Sequence, residues 1–564
     1  MGETRRRFAI GVDFGTNSVR ALVVDVADGA EVAAHVWQYP SGEAGILLDP
    51  KDPNLARQHP ADYVDGFHAS VTRAVAAAKR TRGFSVENVV GIGVDTTGST
   101  PIPVDRDGTP LALHEEFGGN LAAHAWLWRD HTAFAEAAEI TDKAARHRHR
   151  YLTKYGGAYS SEWYWSKILH CRRSAPRVFE AAYGWVELAD FVPAFVTGNT
   201  DPHTLARGIC AAGHKAMYHD DWGGLPSERF LASLHPDLVP LRRRYAERAV
   251  PADHEAGRLT ADVARKVGLP AGIPVAVGAF DAHMGAVGAG VKPGTLVKII
   301  GTSTCDIMVA PSEEPLPDIP GLCGIVPDSV IPGMYGLEAG QSAVGDIFNW
   351  FASHLTPQSF TARGDVHANL SRAAEKIPPG ASGLLALDWN NGNRTILVDP
   401  NLTGLLVGQT LHTSAPEVYR ALVEATAFGA LTIINRFEEY GVAVKDVVNC
   451  GGIAEKNPFV MQLYADVCNR PMKVSHSAQT CALGAAVFGA VAGGAYRSVR
   501  SAQRKMIRSQ RAVYRPRAAA ARVYAKLYDL YRQLHDTFGT ADHAQALGHV
   551  MKSLIAVRDR VRKA

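Results

Sequence analysis

Two apolar runs, FAIGVD and VRALVVDV, flank the short polar loop GTNS near the start of the chain and predict a β-hairpin. EVAAHVWQY predicts a third strand beside it. ADYVDGFHASVTRAVAAAKR then spaces its apolar residues three and four apart, as a helix does, and NVVGIGVD follows as a buried strand. A hairpin ahead of a crossover helix points to an α/β domain on a mixed sheet.

The pattern begins again after the turn-rich segment LPAGIP at residues 269–274. PVAVGAFDAH and TLVKIIGTSTCDIMVA repeat the order strand, Gly-Thr turn, strand. Two related halves facing a shared cleft are therefore expected, divided as 1–270 and 271–500, with a helical extension over 501–564. Ser414-Ala415-Pro416-Glu417 reads as a capping box ahead of a long helix. DVVNC predicts a strand leading through Gly451-Gly452 into another helix. CALGAAVFGAVAGGAY, residues 481–496, is shorter than a membrane span and rich in small residues, so it predicts a buried, close-packed helix. In the tail, Tyr524, Leu527, Tyr528 and Tyr531 form one stripe, read as packing.

A chain of 564 residues exceeds one ordinary core, in line with at least two domains. A net charge of +3 gives no sign of a nucleic-acid partner. The seven cysteines are scattered, without metal-site spacing, which argues against a disulfide framework or zinc site and for a reducing compartment. No leader-like or membrane segment is read, so a cytoplasmic protein is expected. Arg497–Arg517 holds eight basic residues and no acidic one, by default a solvated face.

The GTNS loop lacks the lysine of a Walker A motif, and taken alone an ordinary turn explains it. A hairpin can still cradle phosphate, through close backbone N–H groups and the side chains of Thr16, Asn17 and Ser18. Arg20 would add charge, and Asp13 could hold a magnesium ion through water. The second loop, Gly301–Thr304, allows two such turns to clamp a nucleotide triphosphate. Gly451-Gly452 suits a flat ring lying on bare backbone, or a plain turn. Asp281 ends an apolar strand, where α/β folds open into a cleft. It would cap a helix or, as a base, accept the proton of an attacking hydroxyl. Lys215 and Glu338 sit among small or apolar neighbours, either as a core ion pair or as ligands for sugar hydroxyls.

DFGTNS, GAFDAH, GTST and GGIAEKN, in this order, resemble the FGGY family of carbohydrate kinases over about residues 8–495. GIGVDTTGSTPIPVD, LWRDHTAFAEA, YSSEWYWSKILH, AAGHKAMYHDDWGGLP, FDAHMGAVGAGV and YGLEAGQSAVGD resemble its ribulokinase branch more narrowly. The resemblance implies an α/β fold of two ribonuclease-H/actin-like domains with mixed sheets facing a central cleft. It implies ATP and Mg2+ as cofactors and L-ribulose as the small-molecule substrate, phosphorylated at O5. Asp281 would be the catalytic base, with Gly98, Lys215 and Glu338 contacting the sugar. Thr16, Asn17, Ser18 and Arg20 would serve the first phosphate loop, Thr302 and Gly345 the second, and Gly452 and Asn457 the adenosine. Where glycerol kinases carry an asparagine this chain has Lys456, which leaves the adenine contact open. A homodimer, with no nucleic-acid or membrane partner, is expected. Another pentulose or pentitol kinase, or an actin-like nucleotide switch, remains open at this point.

Overall fold

The computed structural model describes residues 6–563 except 149, 363, 509 and 542. The first half runs β1 (Phe8–Phe14), β2 (Ser18–Asp25), β3 (Glu31–Gln38), α1 (Pro60–Ala78) and β4 (Val89–Thr96). An aromatic-rich insertion follows, ending near α2 (Ile209–Lys215). Then come β5 (Glu255–Arg258), β6 (Pro274–Ala276), β7 (Ala279–Phe280) and α3 (Asp281–Gly288). The second half runs β8 (Thr295–Ile300), β9 (Thr304–Pro311), β10 (Gly324–Pro327), β11 (Met334–Ala339), α4 (Gly345–His354) and α5 (Ala415–Glu439). It continues with β12 (Asp446–Cys450), α6 (Gly452–Lys456), α7 (Pro458–Cys468), β13 (Met472–Val474), α8 (Thr480–Ala492), β14 (Ala512–Tyr514) and α9 (Ala518–Gly539).

The first sheet has the order β5-β6-β4-β1-β2-β3, with β7 also on β4; the second has the order β10-β11-β9-β8-β12-β13-β14. Each sheet centres on an antiparallel hairpin whose first strand pairs in parallel with a later crossover strand: β1 with β4, and β8 with β12. The expected duplication is therefore present in the topology. The turn-rich segment at 269–274 does not divide the halves. It leads into β6 and β7, which complete the first sheet, and the chain enters the second sheet only at Thr295.

The small-residue helix α8 packs across the middle of the molecule against β1, β4 and α3. Its close approach explains two glycines in the sheet: a Cβ at Gly11 would fall on the Ala482 carbonyl, and one at Gly93 on that of Ala485. The Glu417 carboxylate accepts the Ser414 N–H at 2.8 Å, closing the capping box that starts α5. The tail joins the second half. β14 is the edge strand of that sheet, and Tyr524, Leu527 and Tyr531 are buried in its core. Within the basic run, Arg508 pairs with Asp28 and Arg517 with Asp466. No helix among the described residues is long and apolar enough to cross a membrane.

Candidate active site

Three neighbouring strand ends bring three carboxylates to one edge of the first sheet. Parallel pairing sets Asp13 of β1 opposite Asp95 of β4, and Ala279–Phe280 of β7 opposite Asp95–Thr96. The next residue, Asp281, is the first of α3, and its carboxylate accepts the Ala282 N–H at 2.6 Å. Burial acts on all three. It raises the carboxyl of Asp13, opposed by Arg20, whose guanidinium lies 3.2 Å away on the adjacent strand. It pushes Asp95 well above the carboxylate range, with Asp13 and Asp281 adding to the effect. It brings Asp281 up to about 7, again with a contribution from Asp13.

Beside Asp281 lies a buried cationic and acidic pair. The Lys215 ammonium, at the end of α2, donates to both oxygens of Glu338 on β11, at 3.0 and 3.1 Å. It also lies 5.2 Å from the ring of Trp163 and 5.9 Å from that of Phe280. Burial opposes the charge of Glu338, but Lys215 and His214 outweigh it and hold the carboxyl well below its usual range. Lys215 is raised in turn, Glu338 outweighing its burial. His214 Nδ1 is 3.1 Å and His283 Nε2 3.9 Å from Glu338 Oε2, and the two imidazole rings are 4.4 Å apart. Gly98 lies against Phe280, so that a Cβ there would meet the ring. The segment after it is clamped: the Lys167 ammonium donates to the Ser99 carbonyl at 2.9 Å, and Glu187 accepts the Thr100 N–H at 2.8 Å and the Ser99 hydroxyl. Burial lowers Lys167 and raises Glu187, each to about 7.

The GTNS turn closes through the Gly15 N–H donating to the Ser18 carbonyl at 3.0 Å. The Trp128 indole donates to the Thr16 hydroxyl at 3.1 Å, whereas the Asn17 amide donates to the Ala44 carbonyl at 2.6 Å. In the second half, the Val344 and Asp346 N–H groups donate to the Thr302 carbonyl, and the Gly345 N–H to that of Gly301. Thr302 and Gly345 are thus brought together, with the Thr302 side chain exposed. Gly452 is exposed at the start of α6, with open space where a side chain would stand. Asn457 caps α7: its carbonyl oxygen accepts the Val460 N–H, and its amide donates to Ser371. Lys456 beside it is exposed.

Sequence reasoning named Asp13, Asp281, Lys215 and Glu338 but passed over Asp95, His214, His283, Lys167 and Glu187. For Asp95 a signal existed. The triplet Gly-Val-Asp stands one residue before the end of both β1 and β4, and the parallel pairing of two such strands sets the aspartates side by side. This edge offers a carboxylate near neutrality, a buried cation, several carbonyl-clamped segments, and acidic groups suited to a divalent ion.

Comparison with known proteins gives the family and the fold. Residues 8–288 match the N-terminal domain, and residues 296–493 the C-terminal domain, of the FGGY family of carbohydrate kinases. A ribulokinase of Vibrio parahaemolyticus is 44% identical over 520 residues, covering 89% of this chain and 91% of its own. One from Shouchella clausii is 43% identical, covering 89% of this chain and 90% of its own. In fold, the chain is similar to a xylulose kinase from Rhodospirillum rubrum, with a TM-score of 0.73 and 24% identity over 94% of this chain and 99% of that one. Two duplicated sheets, the first with an acidic edge, matched over residues 8–288 and 296–493 by the two family domains, make this chain a member of the FGGY family of carbohydrate kinases.

Proposed function

We propose that the chain transfers the γ-phosphoryl group of ATP to O5 of L-ribulose, giving L-ribulose 5-phosphate and ADP, as a step in the use of L-arabinose. The observation that carries this reading is Asp281, a desolvated carboxylate with a pKa of about 7 next to the Lys215–Glu338 pair. A base of that strength is half ionised near neutral pH and well matched to moving a hydroxyl proton. Resemblance to the ribulokinases supplies the choice of sugar.

In this reading, Lys215 donates to a sugar oxygen and Glu338 accepts from a hydroxyl, while Gly98, packed against Phe280, meets the sugar through its backbone. Asp281 takes the proton from O5 as O5 bonds to the γ-phosphorus, and the bond to the β-phosphate oxygen breaks, its electrons leaving with ADP. The Gly15–Ser18 and Gly301–Ser303 turns hold the phosphates from opposite halves, so most of the rate comes from alignment and charge neutralisation. The crowding of Asp13, Asp95 and Asp281 fits a divalent cation. Mg2+, held by Asp13 through water, would neutralise charge on the phosphates. Thr16, Asn17, Ser18, Arg20, Thr302 and Gly345 would line the phosphate path, with Gly452 and Asn457 toward the adenosine.

The test is a coupled ADP-release assay giving kcat/KM for L-ribulose, D-ribulose, xylulose, ribitol and glycerol. The highest value is expected for L-ribulose. A clear preference for xylulose or glycerol would overturn the assignment, and slow ATP hydrolysis unaffected by any sugar would mark a nucleotide switch instead.

A further inference from the structure

The edge that carries Asp281 also holds two donors, Asp95 and Cys481, to which the proposed phosphoryl transfer gives no task of their own. Asp13 and Asp95 face each other across two parallel strands, and the Cys481 thiol reaches them from the first turn of α8. One ligand atom from each of the three lies within 4.8 Å of the other two. Bonds of about 2.0–2.3 Å to a common ion place its donors roughly 3–4 Å apart, a spacing these side chains can adopt with small rotations.

Asp95 is the residue that points to an ion. It is wholly buried, and no N–H or O–H donor among the described residues satisfies either of its carboxylate oxygens. Arg20 is drawn to Asp13 instead, at 3.2 Å. Only a proton held between the two carboxylates, or a cation, can satisfy the pair, and a buried carboxylate lacking both is costly. Cys481 decides which cation fits. Its sulfur packs near Gly285, one turn into the helix that begins at Asp281, so it sits within the site. Mg2+ keeps its waters and has little affinity for sulfur, whereas Zn2+ and its heavier analogue Cd2+ accept thiolate together with carboxylate.

We propose that Asp13, Asp95 and Cys481 form a direct-contact seat for a thiophilic divalent cation of the Zn2+ class. As the metal–sulfur bond forms, the thiol proton leaves to solvent. The seat goes beyond the proposed reaction, in which Asp13 meets Mg2+ through water, and an ion held in it would draw Asp13 away from that task.

Cd2+ serves as the probe, titrated into the full chain without nucleotide or sugar and followed by calorimetry and by the ultraviolet sulfur-to-cadmium charge-transfer band. The wild-type chain is expected to bind Cd2+ with that band. Cys481→Ser should lose the band, and Asp95→Asn should bind at least about tenfold more weakly. Circular dichroism checks both folds, and Cys481→Ala takes the place of the serine variant should that one unfold. A wild-type chain without the band, a band that persists in the Cys481 variants, or wild-type affinity in Asp95→Asn would overturn the seat. L-ribulose phosphorylation with Mg2+ is measured separately on the wild-type chain. Its absence would defeat the proposed reaction and leave the cadmium result standing.

Discussion

Each half carries charged residues near the turn end of its first hairpin strand, and only one half leaves them unsatisfied. In the first, Asp13 pairs across its hairpin with Arg20 and lies opposite Asp95 on the parallel neighbour. In the second, Lys298 pairs across its hairpin with Asp306 and lies opposite Asn449 on the parallel neighbour. The Lys298 ammonium contacts both Asp306 oxygens, at 2.8 and 2.7 Å, and the Gln341 amide oxygen at 3.0 Å. This cluster is closed and wholly buried. At the Asp13 position, by contrast, the one arginine meets Asp13 alone, Asp95 beside it has no donor among the described residues, and a third carboxylate, Asp281, stands close by. Two related hairpins, whose charged positions fall one residue apart relative to their Gly-Thr turns, thus carry a structural ion pair in one half and an unbalanced acidic edge in the other. Chemistry is expected where the charges are not paired off.

The largest stability effect should fall on the closed cluster. Lys298→Met leaves Asp306 buried without its cation and should cost about 3–5 kcal/mol in denaturant unfolding. A cost below about 1 kcal/mol would remove the contrast between the halves.

On the open edge the sign reverses. Asp281 has its carboxyl raised from 3.8 to about 7, so the folded state binds its proton more tightly than the unfolded chain does. Its ionisation therefore costs nothing below about pH 3.8, and the cost grows as pH rises to about 7 and is complete above that. Asp281→Asn is expected to raise Tm at pH 8, and the gain should shrink as pH is lowered toward 5. A lower Tm for the variant at pH 8 would contradict the unbalanced edge. Activity should show the same group from the other side, with kcat/KM falling as pH drops below about 7.

Smallest of all is Arg508→Ala. Its partner Asp28 is 3.1 Å away, and both side chains are well exposed. Unfolding free energy should change by no more than about 1 kcal/mol. A larger change would mean that the basic run braces the join between the halves.

Much of this was legible in the chain. The repeated strand, Gly-Thr turn and strand announced the duplication, and the strand-ending aspartates 13 and 281 announced the edge. Lys215 and Glu338 stood out as charges in apolar surroundings, and the fold pairs them with each other. The division at 270 was misread because a turn-rich segment marks a change of direction, which here leads back into the same sheet. His214, His283, Lys167 and Cys481 were not legible as members of one site. They come from four separate segments, and only the crossing of α8 against β1, β4 and α3 and the folding of the insertion over Gly98 bring them together. The small-residue pattern of α8 predicted a close-packed helix without saying which strands it would touch.

The most direct test of the account is Asp281→Asn, assayed for nucleotide binding and for L-ribulose phosphorylation in one preparation. The account predicts ATP affinity near that of the wild-type chain and a kcat about 10²–10⁴-fold lower, the usual contribution of a general base. A variant retaining more than about a tenth of the wild-type rate would show that Asp281 does not take the proton.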